Sequence, residues 1–83
     1  MSEKLTVLLF AAARETVGVP AVIVEIPVGA TVADVLDALC AGHPALRPYA
    51  PSLRVAVNGT YARSDEGVGP GDEVAIIPPV SGG

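Results

Sequence analysis

The sequence predicts an α+β domain in which one main helix lies across one face of a mixed sheet of four or five strands. Three observations carry this expectation. Short apolar runs alternate with a period of two, one run alone has the 3.6-residue period of an amphipathic helix, and glycine- and proline-bearing turns part them. With 83 residues, no repeat and no linker, the chain is read as a single domain over residues 1–83.

The first strand is "LTVLLF", with Leu5, Val7 and Leu9 on one face and Thr6, Leu8 and Phe10 on the other. In "AAARETVG" three alanines favour a helical turn, and Gly18 can close it in a left-handed conformation. "AVIVEIP" is a second strand, antiparallel to the first, with Val22, Val24 and Ile26 opposed to Ile23 and Glu25. "TVADVLDALCAG" is the main helix. Thr31 caps it, Asp34 completes a capping box, and Gly42 marks its far end. Its apolar stripe is Val32, Val35, Leu36, Leu39 and Cys40, while Asp34 and Asp37 face water.

Residues 43–52 hold three prolines, and we read them as a crossing loop with one short turn. "LRVAV" is a strand with Leu53, Val55 and Val57 inward, and Asn58-Gly59 is a two-residue hairpin signal leading into the short return "TYA". Pro70-Gly71 turns the chain into a last strand, "DEVAII", with Val74 and Ile76 inward. Phe10, Leu8, Ala56, Tyr61, Ala75 and Ile77 then share the face opposite the helix. Either loops cover that apolar face or a partner does.

Composition excludes several functions. Nine acidic against five basic residues give a net charge of −4, the wrong sign for a chain that neutralises phosphates, so neither nucleic acid nor anionic membrane is expected as a partner. One cysteine and one histidine make no metal-ligand spacing and no internal disulfide, which fits a reducing, cytoplasmic setting without bound metal. The opening "MSEKLTVLLFAAAR" superficially resembles a secretory leader. Glu3 cancels Lys4, however, and the apolar run alternates as a core strand does.

No side chain offers convincing chemistry. Cys40 lies on the core stripe and His43 lies past the helix end, so they do not form a thiol–base pair. "GVGPG" is followed by a strand and not by a phosphate-binding helix N-terminus. Asp65, Glu66, Asp72 and Glu73 read as solvated rim charges, and no acid–base pair emerges.

What remains is the end, "IIPPVSGG". Pro78 and Pro79 stop the sheet, so 78–83 is expected to project as an extended, flexible tail reaching about 20 Å. Gly82 and Gly83 lack a Cβ and fit a narrow slot. The terminal carboxylate is a poor electrophile until activated. This chain has no nucleotide-binding loop, so another protein must supply ATP and form an acyl adenylate on Gly83. Sulfide, a persulfide or an amine could then take the acyl group.

"VLLFAAARETVG", "AVNGTY" and "GDEVAIIPPVSGG" together resemble the small, sulfur-carrying subunits of molybdopterin synthase, the MoaD family of ubiquitin-like proteins with the β-grasp fold. The resemblance covers residues 4–83. It implies a cycle in which an adenylyltransferase similar to ubiquitin-activating enzymes uses ATP and magnesium to adenylate Gly83, and a sulfur donor acting through that enzyme makes a thiocarboxylate. The tail, Pro78, Pro79, Val80, Ser81 and Gly82, would then enter the large subunit and deliver sulfur to cyclic pyranopterin monophosphate, forming the dithiolene. It also implies that this chain is non-catalytic, binds no cofactor itself, and sits in a 2:2 heterotetramer. In such families an apolar sheet face grips the partners, here at Phe10, Tyr61 and Ile77; some relatives carry a larger aromatic at the last of these.

Other readings compete with this one. The same tail chemistry serves sulfur carriers for thiamine, cysteine or tRNA thiolation, and ubiquitin-like modifiers that form isopeptide bonds. A plain interaction domain would need the apolar face and not the tail.

Overall fold

The computed structural model describes residues 2–78. In chain order these form β1 (Ser2–Leu9), α1 (Ala11–Val17), β2 (Ala21–Pro27), α2 (Val32–Gly42), a 3₁₀ segment (Pro44–Ser52), β3 (Arg54–Val57), β4 (Thr60–Tyr61) and β5 (Val74–Ile77). The strands make one mixed sheet in the order β2-β1-β5-β3-β4. β1 pairs antiparallel with β2 and parallel with β5, so the first and last strands lie side by side in its middle.

Alternation decides which face each side chain takes. Leu5, Val7 and Leu9 of β1, Val24 and Ile26 of β2, Val55 of β3, and Val74 and Ile76 of β5 all point to one side and are buried. α2 closes over them with Val32, Val35, Leu39 and Cys40, and these side chains form one continuous cluster.

The main helix begins where the sequence places it. The Thr31 backbone N–H donates to Asp34 Oδ2 at 2.9 Å, and the Asp34 N–H donates to Thr31 Oγ1 at 3.4 Å, a reciprocal capping box. Two further N–H groups of the first turn, those of Val32 and Ala33, donate to the carbonyls of Glu66 (2.9 Å) and Ser64 (3.0 Å). The segment between β4 and β5 thus completes the helix start as well as connecting strands. Gly42 is the last helical residue, and Gly18 closes α1 at φ +93°.

Three features differ from the sequence reading. Residues 44–52 are a 3₁₀ helix and not a loop, and Leu46 within it is completely buried. The 3₁₀ repeat is made in short pieces, so interruption at Pro48 and Pro51 costs it less than it would an α-helix. β5 starts at Val74, because Asp72 and Glu73 are held in the preceding turn. Phe10 lies just beyond β1, where the chain turns through Ala11 at φ +50°, a region a non-glycine residue seldom enters.

The Asn58-Gly59 hairpin forms as expected, with φ of +54° and +84°. Asn58 also reaches outside its turn. Its Nδ2 donates to Asp72 Oδ1 at 3.0 Å, and its Oδ1 accepts from the Glu73 N–H at 2.9 Å. The other carboxylate oxygen of Asp72 accepts from the Gly69 N–H at 2.9 Å. Asp72 is therefore a turn brace that fixes the approach to β5, where the sequence suggested a solvated charge.

Candidate functional site

The strand registers set one apolar row across the open face of the sheet. Ala21 lies opposite Leu8, Leu8 opposite Ala75, Ala75 opposite Ala56, and Ala56 opposite Tyr61, so a single rung crosses all five strands. Ile77 sits on the next rung, opposite Arg54, and Phe10 is tied beside it by its N–H donating to the Ile76 carbonyl at 3.3 Å. Phe10 is 47% exposed and Tyr61 66% exposed, so among the described residues no loop covers this face. The small Ala75 and Ala56 between larger neighbours leave it shallow at the centre. Such a surface suits a flat apolar partner surface.

The registers bring together the three face residues expected from the sequence, Phe10, Tyr61 and Ile77, though not equally: Ile77 is half-buried. Alternation puts Ile23 on the outer side of β2, and the structure adds it to the patch. It is 67% exposed and pairs with Thr6 on this same face. The signal that would have added it is the antiparallel register of the first two strands.

β5 delivers the chain to the edge of this face at Pro78. There Pro78 is half-buried and lines an apolar groove of about 260 Å³ with Ala13, Leu46, Tyr49 and Leu53. The root of the C-terminal segment is thus packed between α1 and the 3₁₀ helix. Pro79, Val80, Ser81, Gly82 and Gly83 lie outside the described residues.

The discarded candidates fall into structural roles. Cys40 is a free thiol buried in α2, and His43 is the C-cap residue, its N–H donating to the Leu39 carbonyl at 2.9 Å. Gly67 of "GVGPG" bridges to Thr31, and Val68 beside it is buried. Among the described residues no group of three His, Cys, Asp or Glu side chains gathers to hold a metal ion, and no helix is long and apolar enough to cross a membrane.

A five-stranded sheet with its first and last strands adjacent, crossed on one side by a single main helix, is the ubiquitin-like β-grasp arrangement. A solved ubiquitin from Caldiarchaeum subterraneum, 20% identical, superposes with a TM-score of 0.67 over the whole of both chains and shares this fold. Residues 7–83 match the ThiS family, and the chain belongs to that family. It is 42% identical over 82 residues to the molybdopterin synthase sulfur carrier subunit of Arabidopsis thaliana, covering 99% of this chain and 85% of that one. It is 43% identical to the Chlamydomonas reinhardtii protein of the same name, covering 96% and 99%. The crystal structure of SAMP1 from Haloferax volcanii is 39% identical, has a TM-score of 0.84, and is matched over 96% of this chain and 99% of that one.

Proposed function

We propose that this chain is a sulfur carrier for molybdenum cofactor biosynthesis, the small subunit of a molybdopterin synthase. The observation that carries the proposal is the near-complete match to relatives of that name at 42–43% identity. It is supported by a strand that ends beside an apolar face and leads at Pro78 into the Gly-Gly end.

In this reading the Gly83 carboxylate attacks the α-phosphate of ATP on an adenylyltransferase, with magnesium, and pyrophosphate leaves. A sulfur nucleophile then displaces AMP and leaves a thiocarboxylate. The large subunit receives residues 78–83, and the thiocarboxylate sulfur passes to cyclic pyranopterin monophosphate to build the dithiolene. The Gly83 carboxylate is restored by water. ATP and magnesium belong to the activating enzyme, and the chain works in the cytoplasm. Phe10, Tyr61 and Ile77 dock each partner in turn, and two copies flank a large-subunit dimer. Gly82 and Gly83, without Cβ atoms, pass the narrowest part of each partner's channel.

The test is the intact mass after incubation with ATP, a cognate adenylyltransferase and sulfide. Replacement of one oxygen by sulfur at the C-terminus is expected. A chain lacking Gly82 and Gly83 should stay folded and gain nothing, and mass gained at Cys40 instead would refute the proposal.

The likeness to SAMP1, named as a small archaeal modifier protein, favours one second reading, attachment to protein lysines. It predicts high-mass conjugates in cells that vanish when Gly83 is removed.

A further inference from the structure

We propose that the free edge of β2 is a self-association surface, on which two copies pair antiparallel about a twofold axis through Ile23. Among the described residues β2 ends the sheet, with β1 on one side and no strand on the other. Leu9 donates to the Pro20 carbonyl at 2.8 Å, and the register steps by two from there. Residues 20, 22, 24 and 26 therefore direct their backbone groups at β1. Ala21, Ile23 and Glu25 direct theirs away from the sheet.

An open edge of this kind is a template for another strand. Pro27 has the same outward parity and lacks an N–H, so the donors of the strand on this side are Ala21, Ile23 and Glu25. Centring the twofold on Ile23 sets Ile23 against its own copy and Ala21 against Glu25 in both directions. Each of these three facing pairs exchanges two hydrogen bonds, giving six. Sliding one copy by two residues leaves two such pairs among residues 21–25, and therefore four bonds.

The side chains agree with the same register. Of the large apolar residues that are strongly exposed, Ile23 (67%) lies on this edge, and Val19 (43%) and Val28 (65%) lie just beyond its two ends. The twofold places Ile23 beside its copy. Beneath the seam the half-buried Val22 meets Val24. Glu25 faces an alanine and keeps Lys4 as its neighbour on β1, so no like charges oppose each other. A slide in one direction brings Glu25 opposite Ile23, and in the other it brings Glu25 opposite Val19, which lies outside the strand. A second copy of this chain therefore fits the edge in one register.

β5 and β4 are two and four strands from the seam, about 10 and 19 Å. Ile77 and Tyr61 stay open in the pair, so its formation is separate from the carrier reading.

Sedimentation velocity of the full chain from low micromolar to millimolar concentration should show a monomer converting to a dimer. Ile23→Asp should weaken the dimer tenfold or more with the melting temperature retained, whereas Tyr61→Arg should leave it unchanged. Ile23→Cys should cross-link to its own copy with a short bis-maleimide, since facing Cα atoms in such a pair are about 5.5 Å apart. Thr6→Cys, one strand in, should not. A monomer at every concentration, a dimer indifferent to Ile23→Asp, or failure of the Ile23→Cys chain to cross-link would each overturn the proposal.

Discussion

Thr31 and Asp34 show how much one pair of side chains decides. Their reciprocal hydrogen bonds satisfy N–H groups that the helix itself cannot. Thr31→Ala should cost about 1 kcal/mol, a fall of about 4–8 °C in the melting temperature. Asp72 supports a pH prediction. The Asn58 side-chain amide, and secondarily the Gly69 N–H, hold its carboxyl below the usual aspartate range. A depressed folded-state value means that the brace stabilises the fold above the ordinary aspartate range and loses that effect as pH falls through the folded value. Asn58→Ala should shift the Asp72 titration upward, measured at the carboxyl carbon by NMR, and flatten the acid limb of the stability curve. The capping box was legible because both partners lie in one four-residue motif. The Asn58–Asp72 contact spans 14 positions and leaves no local trace.

At the level of elements, alternation and turn chemistry located every strand, because a sheet with one buried face imposes its period on the sequence. The 3₁₀ segment was missed for the opposite reason. Its prolines read as breakers, and its one fully buried side chain, Leu46, has no periodic companion. Leu46→Ala should cost 2–5 kcal/mol in urea unfolding, as removal of a fully buried leucine does where neighbours relax only partly. It should also loosen the groove that seats Pro78, detectable as changed amide shifts for Ala13 and Tyr49.

For the whole molecule, the open face is a product of topology. Phe10, Tyr61 and Ile77 come from three separate stretches, and the order β1-β5-β3-β4 sets them on one face. The sequence could name them as outward-facing, but the face they share depends on pairings between distant segments. A double substitution, Phe10→Asp with Tyr61→Arg, should weaken binding to a cognate large subunit by about 2 kcal/mol or more in calorimetry. The melting temperature should move little, because Tyr61 is largely exposed and Phe10 about half exposed. An unfolded double variant would contradict the division of the sheet into a buried structural face and an open face proposed for docking.

The parallel pairing of β1 with β5 has a consequence for the newborn chain. The middle of the sheet stays vacant until its final strand leaves the ribosome. Before that moment β1–β2 and β3–β4 are two ribbons with no strand between them. Closure of the sheet should therefore be a late step in folding. A polypeptide cut short before Val74 should fail to close the sheet, and so should make a poor decoy for partners that wait on its terminus.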